Sequence, residues 1–117
     1  NSSSHAALHP EVGGPASGGT VYGMCKAALE RLSTGLASEV ADQNIRVNAI
    51  SPGLVATPGV VHHGLVNESN KDRVVPVENM AEACLRLVHD EGGELSGRIA
   101  YADEMIEEFT LTPAVLV

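Results

Sequence analysis

The chain has 117 residues, a formal net charge of −8 and 44% apolar residues, with one Phe, two Tyr and no Trp. That length suits one modest domain whose core is built from Ala, Val, Leu and Ile. The acidic balance argues against nucleic acid or an anionic membrane as partner, and no apolar run approaches the ~18 residues that a membrane-spanning helix needs.

The chain opens on "NSSSHAALHP", without an initiator Met, and reads as part of something longer. No basic stretch followed by an apolar one marks a secretory signal. Residues 1–20 are rich in Ser, Gly and Pro and read as a loop. Residues 21–42 read as a helix. Cys25, Leu29, Leu32, Leu36 and Val40 recur every three or four residues and form one apolar stripe, expected to face the core. Gly35 interrupts this helix and suggests a neighbouring element packed close to it.

"IRVNAIS", residues 45–51, is short, partly β-branched and bounded by turn residues, so it reads as a strand that "PG" at 52–53 ends. Residues 54–75 show no clean period and read as a long excursion of the kind that lines binding sites. Residues 76–90 read as a helix with Pro76 at its start and Met80, Cys84, Leu87 and Val88 on its apolar face. After the turn "EGGELSG", residues 98–102 read as a last strand, followed by an acidic turn and an apolar tail. Helix, strand, helix, strand is an α/β alternation, which implies parallel strands joined by crossover helices. Such a sheet needs cover on both faces, more than two helices supply.

Cys25 and Cys84 lie far apart and belong to no CxxC pair, so buried free thiols and a reducing, cytoplasmic setting are expected. His62, His63 and His89 show no zinc-ligand spacing, and no metal is expected. No Gly-x-Ser-x-Gly elbow supports a Ser-His-Asp hydrolase. Glu104, Glu107 and Glu108 read as a solvated acidic surface.

One pair calls for a functional reading. Tyr22 stands four residues before Lys26 at the head of the first helix, so the two side chains share a face. Alone, such a pair is ordinary surface chemistry. An ammonium beside a phenol also favours the charged phenolate, which is the tuning that general acid–base catalysis needs.

"VYGMCKAAL" followed by "IRVNAISPGLVATP" resembles the short-chain dehydrogenase/reductase family. That family pairs a Tyr-x-x-x-Lys helix with a strand ending Val-Asn-x-Ile-x-Pro-Gly, here Val47 to Gly53. "LSGRIAYAD" is similar to the family's closing strand, and the likeness covers most of residues 1–102, the second half of the family's single domain. The fold implied is the C-terminal part of a Rossmann-like, doubly wound parallel α/β sheet.

The resemblance implies an NAD(P)-dependent oxidoreductase that moves hydride between nicotinamide and an alcohol or ketone. Tyr22 would be the general acid/base. Lys26 would support it and hydrogen-bond the nicotinamide ribose. Pro52 and Gly53 would lie against the nicotinamide ring, and Thr57 would contact its carboxamide. "NSSSHAA" resembles the family's Asn-x-Ser-Ser segment and selects Ser4 as the catalytic serine, with Ser3 as the alternative. The spacing from Ser4 to Tyr22 exceeds the family norm, so the intervening loop reads as an insertion. Asn48 reads as a strand-end side chain that bonds backbone.

The family's Gly-rich pyrophosphate turn has no counterpart after a strand here, and "GGPASGG" follows no apolar strand. These 117 residues by themselves are therefore expected to be inactive. NAD cannot be told from NADP. A homo-oligomer is expected of the full-length parent. The alternative is a truncated, non-catalytic product that acts as an association partner or is inert.

Overall fold

The computed structural model describes residues 1–12 and 19–115. Its contacts divide the chain into two compact units, Asn1–Ser51 with Asp90–Ala100, and Pro52–His89 with Tyr101–Val117.

The first unit is built on a long helix, α1 (Thr20–Glu39), and on a two-stranded parallel sheet of β1 (Ala49–Ser51) and β2 (Ile99–Tyr101), of which only Tyr101 is counted with the second unit. β1 is buried along its whole length. It is shorter than the strand expected over 45–51, because Val47 and Asn48 pair with a loop rather than a ladder. The Val47 carbonyl accepts from Gly97 N–H at 2.8 Å. The Asn48 amide bonds the Leu95 carbonyl at 2.8 Å and the Arg98 N–H at 3.0 Å, the backbone role expected of it. Asp90, itself buried, accepts the Leu95 N–H at 2.7 Å and closes the same loop.

Residues 1–3, read as loop, lie along the other side of β1. Ser2 pairs with Ile50 in parallel, with Ser3 N–H to Ile50 O at 2.7 Å and Ile50 N–H to Asn1 O at 2.9 Å. A short 3-10 turn, His5–Ala7, follows.

The orientation of α1 corrects the sequence reading. The expected apolar stripe does not face this unit's interior: Leu32 and Leu36 are 58% and 38% exposed, and Cys25 is exposed. The buried positions are Glu30, Ser33 and Ala37, spaced three and four residues apart. The inward face of α1 is thus mostly polar, and it meets the polar segment Asn1–Ser3. Gly35 is also explained differently. The nearest atoms to a Cβ there belong to the Arg31 side chain of the same helix, not to a neighbouring element.

The second unit holds α2 (Pro58–His62), a 3-10 turn (Lys71–Arg73), α3 (Val77–Val88) and α4 (Ala102–Glu108). The stretch 54–75, read as an excursion without period, therefore carries a short helix and a parallel bridge between Leu54 and Val74. α4 occupies what was read as an acidic turn. α3 and α4 pack together over buried Ala83, Leu87, Ala102 and Met105. Asn79 donates to Asp103 at 2.8 Å, and the Arg86 guanidinium sits 4.4 Å over the Phe109 ring. Val88, assigned to the apolar face of α3, is instead 71% exposed.

Candidate active site

Tyr22 lies in the first turn of α1, Lys26 in the second. The Lys26 ammonium is 5.6 Å from the centre of the Tyr22 ring, so the helix brings the two together as the four-residue spacing requires. Tyr22 is 53% exposed, so its side chain is accessible from solvent. Lys26 donates to the Ser2 main-chain carbonyl at 2.9 Å. An ammonium carries three donors, so two remain for other acceptors.

Ser4 sits just before the His5–Ala7 turn. It caps the His5–Ala7 turn, accepting the Ala6 N–H at 3.2 Å. Its O–H is still a donor in that arrangement. The turn packs against α1, and the contact is intimate at Gly23. A Cβ on Gly23 would stand 2.5 Å from the Ala6 carbonyl oxygen, a distance no side chain tolerates. The residue after Tyr22 must therefore be glycine for Ser4's turn to lie where it does.

Ser3, the alternative serine, has a different environment. It is 2% exposed, and its hydroxyl donates to the buried Glu30 carboxylate at 2.5 Å. Extended backbone sends alternate side chains to opposite faces, so Ser3 points into the unit and Ser4 does not. His5 bonds Ser51 at 3.2 Å through Nδ1, tying the turn to the carboxyl end of β1. The sequence reading missed Gly23, Glu30 and His5. Glu30 was open to discovery, because it lies one helical turn beyond Lys26 on the same face.

Pro52, Gly53 and Thr57 belong to the second unit. Gly53 has φ +77°, a left-handed conformation that glycine adopts without strain. A Cβ there would also meet Val75 Cγ2 at 3.2 Å. Thr57 caps α2, its hydroxyl oxygen accepting the Val60 N–H at 3.3 Å. The cap uses a lone pair and leaves the O–H as a donor. Most of "GGPASGG" lies outside the described residues. Among the described residues, no group of three His, Cys, Asp or Glu converges as a metal site would require, and no helix is long and apolar enough to cross a membrane.

A family profile described as "Enoyl-(Acyl carrier protein) reductase" matches residues 5–104. The chain belongs to the short-chain dehydrogenase/reductase family. Oxidoreductase UcpA of Salmonella typhimurium is 42% identical over 87 residues, covering 71% of this chain and 32% of that protein. A short-chain type dehydrogenase/reductase from Mycobacterium ulcerans superposes with a TM-score of 0.68 at 27% identity, covering 90% of this chain and 40% of that one. The RhlG/NADP active-site complex of Pseudomonas aeruginosa superposes with a TM-score of 0.69 at 28% identity, covering 86% of this chain and 43% of that one. The chain thus spans about a third of the length of Oxidoreductase UcpA.

Proposed function

We propose that this chain carries the catalytic segment of an NAD(P)-dependent oxidoreductase, with Tyr22 as general acid/base toward an alcohol or ketone. The observation that supports it most is the convergence on one helix start. Tyr22, its partner Lys26 and the turn of Ser4 are brought side by side by the Gly23–Ala6 approach and the Lys26–Ser2 bond.

The nicotinamide cofactor, when bound, supplies or accepts the hydride. Tyr22 delivers the proton to the substrate oxygen in reduction and removes it in oxidation. Lys26 stands beside the Tyr22 ring and offers its remaining donors to ribose hydroxyls. The Ser4 O–H donates to the substrate oxygen as negative charge develops there. In the second unit, the Thr57 O–H is a donor suited to the carboxamide oxygen, and Pro52–Gly53 presents backbone without a side chain at Gly53. The chemistry of these second-unit residues suits the nicotinamide end of the cofactor. The pyrophosphate turn that the resemblance implies would lie outside them, and their chemistry does not choose between NAD and NADP.

A second reading, a non-catalytic association partner, draws on the exposed apolar residues of α1: Val21, Met24, Leu32 and Leu36. The two separate cleanly by kinetics. In the whole protein, Tyr22→Phe should lower turnover of a ketone panel with NADH or NADPH by about 100-fold or more. Cofactor affinity, read by fluorescence titration, should stay within about threefold. Turnover close to that of the unsubstituted protein would remove Tyr22 as acid/base.

A further inference from the structure

We propose that Glu30 is a positioning residue for Ser4, acting through Ser3; the inference rests on the reading of Ser4 as donor to the substrate oxygen. Glu30 is 9% exposed and Ser3 2% exposed, and 2.5 Å separates their oxygens. A carboxylate in such a place is costly unless it is hydrogen-bonded. An apolar pair of the same shape would hold α1 to the segment at least as well. What the polar pair adds is direction: a short O–H···O⁻ bond fixes the Ser3 rotamer as dispersion contacts do not.

That direction passes to the neighbour. Ser4 has extended backbone, φ −158° and ψ 150°, so clamping Ser3 inward sets Ser4 outward. The grip is threefold. Lys26 holds the Ser2 carbonyl, Glu30 holds the Ser3 hydroxyl, and Ser33 accepts the Asn1 amide at 2.8 Å while donating to the Leu29 carbonyl. Three successive turns on one face of α1 thus hold Ser2, Ser3 and Asn1 of the segment that leads to Ser4. Of the three, only the Glu30 bond fixes the side chain adjacent to Ser4. Because Lys26 shares this face with Glu30, the helix that carries the acid/base pair also sets the serine. A misplacement of about 1 Å at such a donor can cost two orders of magnitude in rate.

A double-mutant cycle in the whole protein tests it. Glu30→Met should lower kcat about tenfold, with the cofactor KM unchanged within about twofold. Glu30→Gln keeps an acceptor for Ser3 and should restore most of the rate. Ser4→Ala with Glu30→Met should be no slower than Ser4→Ala alone, because Glu30 works only through Ser4. Losses that multiply instead would overturn the inference while leaving the role of Ser4 intact. A Ser4→Ala protein as fast as the parent would overturn the functional reading, and the inference with it. If Glu30→Met does not give a cooperative melt, Ser3→Ala removes the same bond and enters the same cycle with the same expected outcomes.

Discussion

The Ala6 carbonyl oxygen fills the space in which a side chain on Gly23 would begin, 2.5 Å from an ideal Cβ. Alanine would gain about 1 kcal/mol of helix propensity over glycine there. The obstacle is backbone, so the turn of Ser4 must move, and overpacking of this kind costs about 1–3 kcal/mol. Gly23→Ala is therefore expected to lower stability by denaturant titration and to slow turnover, although it touches no reacting atom. Gly35→Ala is the control. Its Cβ meets only the flexible end of Arg31, and it should stabilise the protein by up to about 1 kcal/mol. A stabilised, fully active Gly23→Ala protein would contradict the contact.

Lys26→Met keeps the length of the side chain and removes the charge. It takes away the bond to Ser2 and the donors assigned to ribose, so both kcat and cofactor affinity are expected to fall. The rate should drop by about 100-fold, in the range of a removed acid–base partner. Steady-state kinetics with cofactor as the varied substrate checks this. A change confined to kcat would remove the ribose contact from the account.

Asp90 is expected to matter for stability alone. Its carboxylate accepts the buried Leu95 N–H at 2.7 Å, and its own carbonyl accepts from the Arg46 guanidinium at 2.8 Å. Asp90→Ala leaves the N–H without that partner, at a cost of about 1–3 kcal/mol. Chemical denaturation should show the loss, and turnover at low temperature should be unchanged.

The two thiols should differ in reactivity. Burial pushes the Cys84 thiol above its ordinary range, whereas Cys25 is exposed. The thiolate is the reactive form, so near neutral pH Cys25 should be alkylated first. Cys84 labelling should rise only at higher pH, because its proton leaves later. Mass spectrometry of a pH series separates the two, and equal rates at pH 7 would refute the assignment.

Much of this was readable from residue order. The Tyr22–Lys26 pair and the helix that carries it follow from spacing, and a strand ending at Ser51 follows from β-branched residues before a turn. The facing of α1 was not readable. An apolar stripe shows which residues avoid water, but not what is present to cover them, and here the polar stripe of Lys26, Glu30 and Ser33 meets a polar partner segment. The pairing of Asn1–Ser3 with β1 escaped for the same reason: three small polar residues carry no alternation, and α1 fixes them through side chains. α4 escaped because two buried positions, Ala102 and Met105, are too few to set a period. The shortening of β1 turns on one side chain, Asn48, that substitutes for a backbone partner.

The Ser2–Ile50 bridge has a consequence for how this chain meets other chains. β1 has a hydrogen-bonded neighbour on each side, Asn1–Ser3 on one and β2 on the other. A foreign strand that seeks an open edge finds none on β1, the more deeply buried strand of the sheet. It must first peel away three polar residues held by Lys26, Glu30 and Ser33. The grip that sets Ser4 thus also works as a guard against edge-to-edge association at the core strand.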